Sequence, residues 1–198
     1  QREIDRMLEK TRKNVEQSYD AVLAGDAGRL EEIQEREDYI DYLNGEIARY
    51  IVSLMSVEMS ERDTKSINSY YLMLGNVERI GDHAINIAEY TQFMKKWEIR
   101  LTEEEKEEIV KMKEISRQTL EALSLEDETK SAEILARVSE GEKEIDEMQK
   151  KYLKRQIKRA KKGESKAECG IMFSEMLTDF ERIGDYALNV AQLYDEMA

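Results

Sequence analysis

The sequence predicts an all-α fold in which six helices form two tandem antiparallel three-helix bundles related by a pseudo-twofold. Three observations carry this reading. There is no proline in 198 residues, and the chain is rich in Glu, Lys, Leu, Ile, Ala and Met, which long helices tolerate. Apolar residues recur at helical spacing nearly throughout. Residues 76–88, NVERIGDHAINIA, return as residues 179–191, DFERIGDYALNVA, with eight identities in thirteen positions at an offset of 103.

The elements follow in order from their start and stop signals. Gly25, Asp26 and Gly28 break the first helix at about residue 24. A second runs from about Ala27 into the region of Met59, with Leu30, Ile33, Ile40, Leu43, Ile47, Ile51 and Leu54 along it. Ser60 with Asp63 has the form of an N-terminal cap, because a Ser hydroxyl and an acid three residues on satisfy free backbone N–H groups. The third helix extends from there to about Lys95. Thr102 with Glu105 is a capping-box pattern for a fourth helix to about Leu125, and a fifth spans about Asp127 to Lys161. Ser165 with Glu168 caps a sixth. Residues 1–98 then form the first three-helix unit and residues 99–198 the second. A looser match supports the duplication: Asp38-Tyr39-Ile40-Asp41 aligns with Lys143-Glu144-Ile145-Asp146 at an offset of 105. Trp97 is read as a packing residue at the junction, and the scattered Met and Tyr residues as core and bundle edge.

Composition narrows the function classes. The net charge is −13, spread evenly over both halves. Such a chain repels phosphate backbones, which argues against general nucleic-acid binding. Cys169 is the only cysteine, so an internal disulfide is excluded and a reducing, cytoplasmic setting is expected. No run approaches the roughly 20 apolar residues of a spanning helix, and no signal peptide is present. The chain begins at Gln1 rather than Met, which fits a soluble piece of a longer membrane protein. No Gly-rich phosphate loop, Ser/His/Asp group or Cys/His pair is available, so an enzyme is not expected.

The repeated segment carries the chemistry. Residues four apart on a helix lie about 40° apart around its axis, so Glu78 and Asp82 share one face, as do Glu181 and Asp185, with Asn86 and Asn189 extending each row. Met73, Val77, Ile80, Ala84, Ile87 and Ala88 lie roughly opposite. Adjacent carboxylates repel, and water, protonation, a basic neighbour or a cation must relieve them. All-oxygen sites suit magnesium, manganese or iron. One pair cannot complete a coordination shell, and Asp38, Asp41 and Asp146 on the second helix of each unit are further candidates. The plainer alternative is a solvated face on which Arg79 and Arg182 pair with Asp82 and Asp185. Duplication, Ile85 and Leu188 on the carboxylate side, and the repeated glycine weigh against it. Gly81 and Gly184 each cost about 1 kcal/mol of helix propensity relative to Ala, so keeping both points to close approach of another helix.

ERIGDHAINIA and ERIGDYALNVA resemble the signature helices of the PhoU family, whose members are two fused three-helix bundles bearing E(D)xxxD motifs that bind metal clusters, often iron. The resemblance implies that Glu78, Asp82, Glu181 and Asp185 are ligands of a metal ion cluster, iron first, with manganese, magnesium or zinc as the other options. It also implies a non-enzymatic regulatory role in phosphate transport, a phosphate transporter as partner, and a homo-oligomer as an option. From Arg155 through Cys169-Gly170 the chain is more similar to the cytoplasmic domain of bacterial sodium–phosphate cotransporters, and its lack of proline departs from stand-alone members. The expected place is therefore the inner face of the cell membrane, as part of a longer membrane protein, with a stand-alone PhoU regulator as the alternative. Tyr186 replaces the histidine found at His83, which argues against a direct role for that histidine.

Two further readings complete the set. A ferritin-like di-metal bundle uses Glu-x-x-His, whereas His83 falls five residues after Glu78, and the spacing rejects it. A spectrin-like rod of three-helix repeats needs no site, but its helices run on from repeat to repeat, whereas capping signals interrupt this chain around Trp97. Finally, Lys150 to Lys162 holds eight basic residues and no acid, a candidate contact for an anionic membrane surface or the transporter's cytoplasmic face. Its plainer reading is a helix end whose positive charge meets the C-terminal dipole.

Overall fold

The computed structural model describes residues 1–56, 58–125 and 127–198, and of Glu128 only the backbone. The helices are α1 (Arg2–Ala24), α2 (Leu30–Met55), α3 (Glu61–Lys96), α4 (Glu103–Ala122), α5 (Ser131–Lys161) and α6 (Ala167–Asp195). Short 3-10 turns at Ala27–Arg29 and Glu128–Lys130 lead into α2 and α5. Among the described residues there is no strand, and no helix is long and apolar enough to cross a membrane.

Local hydrogen bonding sets most boundaries. Gly25 adopts a left-handed φ of 62° and returns its N–H to the carbonyls of Ala21 and Val22, ending α1. Ser60 Oγ accepts from the Asp63 N–H at 3.1 Å and opens α3. Thr102 and Glu105 form a reciprocal capping box on α4. Four boundaries differ from the sequence reading. α2 stops at Met55, one turn before Met59, because the Ser56 N–H bonds back to Ser53, three residues away, and closes the last turn in 3-10 geometry. α4 ends at Ala122 rather than Leu125, because the Leu123 N–H bonds back to Leu120, three residues away. α5 begins at Ser131 rather than Asp127, since Asp127 Oδ1 accepts from the N–H and hydroxyl of Thr129 and holds a turn there. α6 begins at Ala167 without a side-chain cap: Ser165 Oγ instead accepts from Gln156 Nε2 at 3.3 Å.

α1, α2 and α3 pack together, as do α4, α5 and α6, while α3 lies along α6 and α1 along α4. One contiguous apolar core runs through both sets, with Tyr19, Phe173, Phe180 and Tyr194 fully buried in it. The α3–α6 contact displays the duplication residue by residue. Asn86 Nδ2 donates to Asp179 Oδ1 at 3.1 Å, and Asn189 Nδ2 donates to Asn76 Oδ1 at 3.2 Å. Adding 103 to Asn86 and Asn76 gives Asn189 and Asp179, so the two contacts are one contact seen from either side of a twofold. His83 and its equivalent Tyr186 stack across it with centroids 5.7 Å apart. This side-by-side, antiparallel arrangement excludes a rod. Trp97 is partly exposed, its ring tilted against Phe93 at 6.1 Å.

The halves have nonetheless diverged. Between α1 and α2 lies a groove of about 670 Å³ whose lining includes Tyr39, Tyr42, Tyr50, Leu54 and Tyr70. The residues equivalent to Tyr50 and Leu54, 105 positions on, are Arg155 and Arg159. There Arg159 is buried with Glu105 and Glu108; its Nη2 donates to Glu108 Oε2 at 2.7 Å, and its Nε lies 3.7 Å from Glu105 Oε1.

Candidate metal centre

Glu78 and Asp82 on α3 do not stand alone. Packed against them is a second i,i+4 carboxylate pair, Glu37 and Asp41 on α2, and the four charges act on one another. The second half repeats the arrangement: Glu142 and Asp146 on α5 face Glu181 and Asp185 on α6. Each half thus carries an E-x-x-x-D pair on both of two adjacent helices. Of the further candidates read from sequence, Asp41 and Asp146 lie within these groups, while Asp38 accepts a hydrogen bond from Gln34. Glu37 and Glu142 were missed, although 37/41 and 142/146 repeat the spacing of the signature motif at the offset of 105.

Glycine makes the approach feasible. A Cβ on Gly81 would lie 2.7 Å from Glu37 Oε1, so only glycine leaves the Glu37 carboxylate its place against α3. At the equivalent Gly184 the neighbour is Ile145, whose Cδ1 would lie 3.1 Å from such a Cβ.

Glu37 is the most constrained member of the first group. It is 3% exposed. Its Oε2 accepts from Asn14 Nδ2 at 3.2 Å, while its buried Oε1 has no hydrogen-bond partner. Burial pushes its carboxyl up to about 7; the Asn14 hydrogen bond opposes the rise, and the charges of Asp41, Asp82 and Glu78 add to it. Burial and then neighbouring acids also raise Glu78, Asp41 and Glu142. An orphaned buried oxygen within an all-carboxylate donor set fits a hard or borderline cation, which would satisfy the oxygen and offset the repulsion. The carboxylates stand apart, as like charges do: among the described residues no three His, Cys, Asp or Glu side chains converge closely enough to enclose one ion.

The two groups are not equal. In the second, Lys150 Nζ donates to Asp146 at 2.8 Å and Arg182 Nη1 to Asp185 at 3.3 Å. The pairing foreseen for Arg182 is therefore present. Arg79 departs from its expectation and lays its guanidinium over the Tyr186 ring, 5.5 Å from the centroid, because the α3–α6 contact brings that ring within reach. His83 faces the interface as well. Its Nδ1 lies 2.7 Å from Oδ1 of Asp179, a 6%-exposed acid that also accepts from Asn86 and, at 2.7 Å, from Tyr90. His83 is thus a structural link between the halves.

Known proteins resemble this chain in sequence and in fold. The phosphate-specific transport system accessory protein PhoU homolog 1 of Thermotoga maritima is 26% identical over 163 residues, covering 81% of this chain and 68% of its own length. The PhoU homolog of Clostridium acetobutylicum, of the same description, is 24% identical over 200 residues, covering 96% of this chain and 86% of its own. PhoU from Pseudomonas aeruginosa superposes with a TM-score of 0.88 at 20% identity, over 98% of this chain and 93% of that one. The phosphate transport system regulatory protein PhoU from Streptococcus pneumoniae gives 0.83 at 20% identity, over 99% and 91%. A family model described as the PhoU domain matches residues 4–91 and again 109–194, once in each half, and the chain belongs to that family.

Proposed function

We propose that the chain is a cytoplasmic accessory regulator of a phosphate transport system, not an enzyme, and that its paired carboxylate groups bind metal. The observation that carries the metal reading is the repeated four-carboxylate arrangement, with the buried, unpartnered Glu37 oxygen at its heart. Glu37, Asp41, Glu78 and Asp82 would hold the ion in the first half, and Glu142, Asp146, Glu181 and Asp185 in the second. When bound, the metal supplies positive charge and oxygen coordination. Iron comes first, with manganese, magnesium or zinc as the other options. Within the protein, Gly81 admits Glu37 to α3 and Asn14 holds one of its oxygens in place. Metal occupancy would thereby be linked to the packing of α2 on α3 and to stability. Family membership and the names of the relatives support the transport role, with a phosphate transporter as partner.

A stand-alone regulator is better supported than the cytoplasmic domain of a sodium–phosphate cotransporter. The Thermotoga, Clostridium and Streptococcus proteins are named as accessory or regulatory proteins, and this chain matches from 68% to 91% of their lengths.

Elemental analysis of protein purified without chelator or added metal, compared between the parent and an E78A/D82A variant, tests the site. Loss of about half the metal supports independent groups, and complete loss supports coupling between the halves. Unchanged metal content would refute the ligand assignment and return the motif to a helix surface stabilised by ion pairs.

A further inference from the structure

Half of the basic residues between Lys150 and Lys162 serve the fold itself. Lys150 pairs with Asp146 at 2.8 Å, Arg155 with Glu108 at 3.1 Å and Lys162 with Glu164 at 3.3 Å, while Arg159 is buried against Glu105 and Glu108. The other four, Lys151, Lys154, Lys158 and Lys161, are exposed. Their spacing of three, four and three residues puts them within about 80° on one side of α5, in a stripe about 15 Å long. Ile157, 48% exposed, adjoins the stripe.

The helix dipole accounts for only part of this. Its effect fades within the last turn, which holds Lys158 and Lys161 but not Lys151 or Lys154. The duplicate supplies an internal comparison. α2 has no basic residue in its last turn, and at the positions equivalent to the four lysines it carries Glu46, Arg49, Ser53 and Ser56. The fold therefore does not require the stripe.

We infer that Lys151, Lys154, Lys158 and Lys161 form a docking edge for an anionic lipid bilayer, their ammonium groups meeting headgroup phosphates while Ile157 enters the interface. Charge complementarity selects this occupant. A flexible polyanion would wrap on to Glu103, Glu104 and Glu107 of α4, which line the cleft bordering Arg155 and Lys158, and would meet a chain of net charge −13. A flat bilayer that meets the C-terminal half of α5 touches the stripe, with the exposed Glu147 one turn before Lys151 at its margin. Acids farther from the bilayer than a Debye length of about 8 Å at physiological salt are screened.

Co-sedimentation of the full chain with vesicles tests this, using phosphatidylcholine with and without one-third phosphatidylglycerol and no metal or phosphate. The chain is expected to sediment only with the anionic vesicles and to be released by high salt. Each lysine near such a surface contributes about fivefold in partitioning, so K151Q/K154Q/K158Q/K161Q should lose several hundredfold. A matched K13Q/K65Q/K95Q/K130Q variant, with exposed lysines outside this side of α5, should still bind. Should the quadruple stripe variant lose helicity, the pairs K151Q/K154Q and K158Q/K161Q decide, each with an expected loss of roughly twenty-five-fold. The inference is overturned if the parent ignores anionic vesicles, if the stripe variants bind undiminished, or if the matched variant loses binding equally. Because metal is absent from the assay, this result and the metal-content result stand or fall separately.

Discussion

Replacing Glu37 with Gln tests the electrostatic core of the candidate site. In the folded chain the Glu37 carboxyl is raised from its ordinary value of 4.5 to about 7, chiefly by burial. Below pH 4.5 the group is protonated in both folded and unfolded chains and brings no penalty. Between pH 4.5 and 7 the unfolded chain ionises while the folded one retains its proton, so stability falls as pH rises. Above pH 7 the full cost is present, about 3 kcal/mol for a shift of this size. Gln has nearly the same shape, keeps an acceptor for Asn14 Nδ2, and removes the buried charge. In chelator, E37Q should therefore be more stable than the parent at pH 8 by up to about 3 kcal/mol, or roughly 6–12 °C in Tm for a chain of this size. The gain should shrink towards pH 5. Thermal melts followed by circular dichroism from pH 5 to 8.5 measure this directly. A gain independent of pH, or a loss at pH 8, would refute the claim that a buried, charge-crowded carboxylate weakens the metal-free protein. Added metal should reverse the order, because a neutral amide is a poorer ligand than a carboxylate.

Two buried charges elsewhere should behave as structural anchors. D179A leaves His83, Asn86 and Tyr90 without their shared acceptor at the α3–α6 contact, and should cost about 3–5 kcal/mol in urea unfolding. D179N keeps an acceptor and should cost clearly less; equal losses would mean that the packing, not the hydrogen bonding, matters. R159A strands Glu105 and Glu108, which are 1% and 3% exposed, and should likewise cost about 3–5 kcal/mol. Neutralising one of the stranded acids should recover part of that cost, so R159A/E108Q should be more stable than R159A, and a double variant no more stable than R159A would contradict the ion-cluster account.

How legible each feature is in the sequence follows the range of the force that creates it. The caps at Ser60 and Thr102 are local hydrogen bonds within one turn, and they form where the residues predict. Ser165 has the same local signature but loses its cap to Gln156, a competitor nine residues away that only the folding of α5 beside α6 supplies. The repeated segment conveys the six-helix duplicated architecture, because equal sequences over a whole signature helix fold alike. Glu78, Asp82, Glu181 and Asp185 stand out by repetition. Glu37 and Glu142 do not, since the surrounding residues differ and the burial of Glu37 is created by α1 and α3 together. The E-x-x-x-D spacing at 37/41 and 142/146 was visible and would have found them. Nothing local marks Asp179: it reads as the first residue of a repeat, and its buried role depends on three donors from the other half.

The meeting of His83 with Tyr186, and of Asp179 with its donors, has a consequence for what duplication permits. In a dimer of two identical chains, whatever stands at a symmetric contact stands there twice, so a lone buried acid at such a place would arrive with a second acid. Joining the copies end to end lifts that restriction. Here one side keeps Asn76 and the other Asp179, and the aromatic partner of the histidine is a tyrosine, not a second histidine. The two copies have become complementary rather than interchangeable. A chain made of the first half twice over would place Asn opposite Asn and imidazole against imidazole, and would lack the acid that now gathers three side chains across the join.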